Sequence, residues 1–209
     1  MLLGTSWNNI LEGVIITLKR YTMYWLTNTD QAKEESVKAR KPILLQFEMA
    51  GCGGCKKLYA ETYLHPKVQE EMNEWFVLLK LDLISDRAIR KDLAAYWTPS
   101  FYFLDHNGKS FYNFNGYIPP DELRIILRLG YAETMIPKGK YAEAIDAMSK
   151  EIEQFQNNPL LPKLLAQIGI AKYIKTKDKS VFMKTMKEIQ QKCPGSLEAR
   201  MYFWDDEKG

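Results

Sequence analysis

The chain is short of the residues that most often declare a function. It has three cysteines and two histidines among 209 residues, an odd and small cysteine count that argues against a disulfide-stapled secreted scaffold. Charge of one sign is missing too. The 29 basic and 26 acidic residues leave a net charge of +3 and are mixed along the chain, so nothing in the composition builds a field for nucleic acid or anionic lipid. The densest basic run, "KYIKTKDK" at residues 172–179, has no glycine and no aromatic beyond Tyr173, and reads as a solvated helix end. Long hydrophobic runs are absent as well. The start, "MLLGTSWNNILEGVIITLKRY", has no basic residue before Lys19, is interrupted by Glu12, and its apolar stretch Val14 to Leu18 falls far short of the ~20 residues of a membrane-spanning helix. The expectation is a cytoplasmic protein without nucleic-acid or membrane partners; a periplasmic or secreted form whose signal had been removed would look the same.

What is present is enough for a packed core: 46% of the residues are hydrophobic and 12% aromatic. The length suits one ordinary domain plus a small companion, since domains usually run to about 100–150 residues. "TNTD", residues 27–30, offers capping side chains for a helix through "QAKEESVKAR", which Pro42 stops. "ILLQF", 43–47, reads as a buried strand. The next helix opens at "CGGC" and runs to about Leu64, where "HP" interrupts it, and "FVLLKLDL", 76–83, is a second strand. A polar helix through "DRAIRKDLAAYW" precedes two aromatic-rich runs flanking "DHNG", whose Asn-Gly is a strong hairpin signal. "PPDELRIILRLG" closes the unit as a helix with Leu123, Ile126 and Leu127 on one face and Gly130 past its end. Strands joined through helices run parallel and the hairpin pair antiparallel, which gives a mixed sheet with helices on both faces.

From about Tyr131 no strand pattern remains. "KGKYAEAIDAMSKEIEQFQNNP" is expected to form one helix with Tyr141, Ala144, Ile145, Met148 and Ile152 as its apolar stripe, and "LLPKLLAQIGIAKYIK", "SVFMKTMKEIQQKCP" and "SLEARMYFW" to form three more.

Two of the cysteines stand together in "FEMAGCGGCKKL", residues 47–58. Positions i and i+3 of a helix share a face, so Cys52 and Cys55 can close a disulfide with little backbone movement. Cys52 would lie at the helix N-terminus, where free N–H groups and the macrodipole stabilise a thiolate, and Cys55, one turn in, would be more buried and less acidic. That asymmetry suits a nucleophile and a resolving thiol. Gly51, Gly53 and Gly54 leave little bulk, which lets a substrate backbone approach the sulfur. A metal or cluster site is the competing reading, but structural zinc takes four ligands, usually as two close pairs, and Cys193, His65 and His106 are each isolated. A structural buried pair is the third. Cys193 reads as an incidental free thiol, and His65 as a cap or turn residue before Pro66.

"KPILLQF", "CGGCKKL", "WTPSFYFLDHNGK" and "GYIPPDEL", in this order, resemble the thioredoxin-like proteins over about residues 25–130. The resemblance implies a thioredoxin fold and a thiol–disulfide oxidoreductase acting on protein disulfides. Cys52 and Cys55 would be its redox pair and would need no other cofactor. Pro99 would follow a cis peptide bond beside the disulfide, with the Thr98 backbone ready to pair with substrate. A reducing partner such as a thioredoxin reductase-like system is implied with it. Ordinary thioredoxins have Trp before the first cysteine, Pro before the second and a buried Asp six residues before the first; here Gly51, Gly54 and Gln46 stand there. Gln46 accepts no proton from Cys55, which makes Glu48 the candidate substitute, with a solvated or salt-bridged carboxylate as the alternative.

The tail resembles degenerate tetratricopeptide repeats through Gly139, Tyr141, Ala144 and Pro159. The division expected is an N-terminal extension (1–28), a thioredoxin-like domain (29–130) and a helical domain (131–209), an α/β unit followed by a small all-helical one. The alternative to an oxidoreductase is a binding or adaptor module, in which the helical part recruits a partner or a second copy and the cysteine pair is regulatory.

Overall fold

Asn28 opens the first helix. Its side chain accepts the N–H of Gln31 at 2.9 Å, supplying one of the bonds that a helix N-terminus lacks. From there a computed structural model describes residues 23–201; the extension up to residue 22 and the end of the last expected helix beyond Met201 lie outside the described residues. In chain order the elements are β1 (Trp25–Leu26), α1 (Thr29–Ala39), β2 (Ile43–Glu48), α2 (Gly53–Ala60), a 3-10 turn (Thr62–Leu64), α3 (Pro66–Trp75), β3 (Val77–Asp82), α4 (Arg87–Asp92), β4 (Ser100–Leu104) and β5 (Ser110–Asn115). The helices α5 (Pro120–Met135), α6 (Tyr141–Ser149), α7 (Leu161–Thr176), α8 (Lys179–Lys192) and α9 (Leu197–Met201) follow.

The five strands form one mixed sheet in the order β1-β3-β2-β4-β5. β3 runs parallel to β1 and β2, whereas β4 is antiparallel to β2 and β5. The hairpin forms where Asn-Gly predicts it: the Asp105 carboxylate accepts the N–H groups of Asn107 and Lys109 at 2.9 and 3.0 Å, and Gly108 takes a positive φ of 88°. One face of the sheet packs Leu45, Phe47, Leu79, Leu81 and Tyr102 against α1 and α4. The other presents Leu44, Leu78, Phe101 and Phe103 to α2, α3 and α5, and that core continues without a break into α6, α7 and α8.

Several elements differ from the sequence expectation, each for a local reason. β1, expected as part of the extension, is an edge strand of two residues held by its ladder to β3, too short to show a period. The helix of the cysteine pair, expected to run to about Leu64, stops at Ala60, where Glu61 leaves helical geometry at φ −127° and a 3-10 turn takes over; Pro66 then begins α3 at a position where a missing N–H costs nothing. His65 occupies the cap position of α3, but its side chain makes no capping hydrogen bond. α4 stops at Asp92 instead of running on to Trp97, as Ala94 enters the left-handed region at φ 51°. Gly130 is not a cap: α5 passes through it to Met135. A Cβ at 130 would stand 2.2 Å from the Phe103 ring, so glycine is there to let helix and sheet approach.

The expected long helix from Tyr141 also breaks, at Ser149, where Glu151 turns left-handed with φ 54°. The turn carries the chain back to α3 and α5. Glu71 of α3 lies buried between two buried arginines of α5, 3.0 Å from Arg124 Nε and 2.8 Å from Arg128 Nη1. Arg124 also donates to Glu151 at 3.0 Å and to Gln154 at 2.9 Å. Arg128 bonds the carbonyls of Arg124 and Lys150, and its guanidinium lies over the rings of Trp75 and Phe155. With both carboxylates in place the cluster balances two positive charges with two negative ones.

Gly130→Ala should destabilise the fold by about 1–3 kcal/mol through overpacking, although alanine is favoured by about 1 kcal/mol in an unhindered helix. Urea titration checks this, and a gain in stability would show that the Phe103 contact is not binding. Glu71→Gln leaves the buried Arg128 guanidinium without a carboxylate partner and should cost about 3–5 kcal/mol, read from the same titration.

Candidate redox site

β2 delivers the chain to the site at Glu48. The loop after it turns at Gly51, whose φ of 79° suits glycine, and Cys52 N–H closes the turn on the Met49 carbonyl at 3.2 Å. Cys52 is the N-cap of α2, and its sulfur accepts the N–H of Cys55 at 3.1 Å. Cys52 and Cys55 are joined in a disulfide with their Cα atoms 5.3 Å apart. Both are buried, to 7% and 5% exposure; the asymmetry between them lies in the cap position and hardly in burial. On reduction the Cys52 sulfur would stay beside unpaired helix N–H groups, where a thiolate is favoured.

Pro99 meets this turn from the neighbouring strand. The Thr98–Pro99 peptide is cis, and a Cβ on Gly54 would fall 2.8 Å from Pro99 Cδ, so the departure from proline at position 54 is a close contact with Pro99. Gly53, by contrast, has nothing within 4 Å of its Cβ direction and leaves open space next to Cys52. Thr98 is half-buried, and Pro99 is pinned to the hairpin through its carbonyl, which accepts Gly116 N–H at 2.7 Å. On the outer side Tyr117 lies near Gly54, donates its hydroxyl to Glu61 at 2.6 Å and carries Lys57 over its ring at 4.3 Å. That bond to Glu61, with desolvation second, raises the Tyr117 phenol above its usual range.

Beneath α2 runs a polar chain that the sequence reading did not assemble. Gln46 and Glu48 point to one side of β2 and Lys80 neighbours Gln46 on β3. The fully buried Gln46 accepts the Tyr63 hydroxyl through Oε1, and its Nε2 has no partner among the described residues. Glu48 accepts the Tyr59 hydroxyl at 2.8 Å and lies 3.7 Å from Lys80 Nζ, and Lys80 bonds the same hydroxyl at 3.3 Å. Burial, then the hydrogen bond to Glu48, holds the Tyr59 phenol far above its usual range, and burial does the same for Tyr63. Both hydroxyls therefore remain donors through neutral pH. Lys80 is the lone basic residue of the strand "VLLKLD", and Tyr59 lies four residues after Cys55 on the same helix face; those two signals would have found the chain.

Cys193 is a free, half-buried thiol at the C-terminal cap of α8. Among the described residues no group of three or more metal-ligating side chains converges, and no helix is long and apolar enough to cross a membrane.

Residues 29–130 match the family model of the thioredoxin-like domain. The thiol:disulfide interchange protein DsbD of Campylobacter jejuni is 27% identical over 103 residues, which cover 47% of this chain and 18% of that protein. The chain thus spans less than a fifth of the length of its curated relatives. Among solved structures it is similar to a thioredoxin from Thermus thermophilus, 17% identical with a TM-score of 0.47 over 51% of this chain and 85% of that one. It is similar also to a putative disulphide-isomerase from Bacteroides thetaiotaomicron, 23% identical with a TM-score of 0.47 over 52% and 91%. With the family match falling on the mixed sheet and the disulfide at the head of α2, residues 29–130 are a thioredoxin-like domain.

Proposed function

We propose that the chain is a thiol–disulfide oxidoreductase whose substrates are protein disulfides. The observation that carries the reading is the place of the Cys52 sulfur: it caps α2, joined to Cys55 and accepting its N–H. In the reduced protein the Cys52 thiolate attacks one sulfur of a substrate disulfide. A mixed disulfide forms and the other substrate sulfur leaves as a thiolate. Cys55 then attacks the Cys52 sulfur, closing the intramolecular disulfide and releasing the second substrate thiolate. Two electrons pass from the cysteine pair to the substrate. The sulfurs carry these electrons and no further cofactor enters. A protein reductant, such as a thioredoxin reductase-like system, returns them. Run backwards, the same steps oxidise a dithiol, and the reduction potentials of the pair and its partner set the direction.

The other residues position these steps. The Thr98 backbone offers an edge to an extended substrate, Pro99 and Gly54 hold that edge against α2, and the open face at Gly53 together with the turn at Gly51 admits the substrate chain. Glu48 takes the proton of Cys55 in the resolving step, with Tyr59 and Lys80 fixing its carboxylate. This assigns to Glu48 the task that Gln46 has no basic group to perform. The ion pair with Lys80, at 3.7 Å, belongs to the same role, since it holds the carboxylate in place.

The reduced chain should turn over insulin in a dithiothreitol-coupled turbidity assay. Cys52→Ser should abolish turnover, and Cys55→Ser should accumulate a mixed disulfide visible by non-reducing electrophoresis. Absence of turnover by the freshly reduced wild type would sink the proposal. Glu48→Gln should slow the resolving step by about tenfold or more and flatten its pH profile, while leaving the alkylation rate of Cys52 unchanged. Equal loss in both rates would instead mark Glu48 as structural.

A further inference from the structure

The end of the sheet remote from the disulfide carries a cavity of a single charge sign. β2 and β4 are antiparallel with Ile43 opposite Leu104, so Lys41 and His106, each two residues beyond those positions, come to the same end. The connection between α5 and α6 brings Lys138 and Lys140 there, and Arg40 completes a cavity of about 310 Å³. Val37 and Met135 supply apolar wall, and no acidic side chain lines it. The six residues of β2 separate it from the sulfurs by roughly 20 Å.

The cations are only partly used. Lys140 pairs with Glu143 at 3.1 Å, and Lys41 donates to the Asn73 carbonyl at 2.8 Å, which leaves two of its three N–H groups. Neither the Arg40 guanidinium nor the Lys138 ammonium has an ion pair or hydrogen bond among the described residues. Basic residues at helix ends often serve bare carbonyls, but here the backbone has taken that role. Arg40 and Lys41 N–H groups bond the carbonyls of Val37 and Ser36, and Lys140 N–H bonds that of Met135. Arg40 moreover sits left-handed, at φ 56°, in a helix C-terminal position that glycine fills best. A long charged side chain is kept there against backbone preference.

We propose that this cavity binds a small phosphate ester, about a nucleoside monophosphate in size. The dianionic phosphate bridges Arg40 and Lys138, a guanidinium being suited to two-point recognition of phosphate, and Lys41 and Lys140 flank it. The apolar part of the ligand lies against Val37 and Met135. The volume of about 310 Å³ is at the lower end of small-molecule sites, in keeping with a ligand of this size. The site is independent of the redox reading, because it shares no residue with the cysteine pair, Pro99 or Glu48.

The test is calorimetric titration of the full chain at low ionic strength with adenosine monophosphate, inorganic phosphate and adenosine. The monophosphate should bind saturably, more tightly than inorganic phosphate, and adenosine should not bind. Arg40→Ala/Lys138→Ala should weaken the monophosphate by about tenfold or more, whereas Lys172→Ala/Lys175→Ala, in the basic run of the tail, should leave it unchanged. Arg40→Gly should separate binding from folding: relief of the left-handed strain raises Tm by about 2–4 °C while affinity falls. No saturable binding of the monophosphate, equal loss in the two double variants, or an Arg40→Gly protein that binds like wild type would each overturn the proposal.

Discussion

The carboxylate of Glu71, buried between Arg124 and Arg128, is the interaction on which the arrangement of the helical region rests. Three ionised groups are withdrawn from water there, a cost repaid only where each finds hydrogen-bonding partners. The partners come from the cap turn at 150–154 as well as from α3 and α5, so the turn takes its path from the arginines. Arg128 Nε, buried with no partner among the described residues, shows that the fit is incomplete. Apolar residues of similar volume would fill such a space at least as stably. What the charges add is direction, because only one register of the turn places Glu151, Gln154 and the Lys150 carbonyl where the guanidinium groups point.

The disulfide site is built on the opposite principle, with contact in place of charge. Gly54 lies against Pro99 closely enough that no side chain fits between them, and this joins the head of α2 to the start of β4. The disulfide is therefore carried on backbone that is held on two sides, while the polar chain of Gln46, Tyr63, Tyr59, Glu48 and Lys80 links α2 and the 3-10 turn after it to β2 and β3. The two tyrosines keep their protons through neutral pH, so within that chain they act as fixed donors to Glu48 and Gln46.

Much of this was legible in the residues. Continuous apolar runs marked β2 and β3, Asn-Gly marked the β4–β5 turn, and the spacing of the cysteines with the flanking glycines marked the head of α2. What stayed hidden depends on contacts across the chain. Gly130 reads as a helix stop until Phe103 is seen against it, and the break at Glu151 has no local signal because its cause is a pair of arginines more than twenty residues earlier. β1 is too short for any pattern. In the site, the cysteines and Pro99 could be picked out one by one, whereas the joining of Glu48, Tyr59 and Lys80 needed the register of β2 with β3 and the pitch of α2.

The uninterrupted course of α5 also bears on how this chain can be divided. The family resemblance ends at residue 130, in the middle of a helix whose next turns carry Ala132 and Met135 into the shared core. The unit of descent and the unit of folding thus have different borders. A fragment trimmed to the borders of descent would shed Tyr131, the ring against which Trp75 and Phe76 pack. The helical region is then better regarded as a second half of the interior than as a passenger, and any gain or loss of it in related chains would require the sheet's outer layer to be rebuilt.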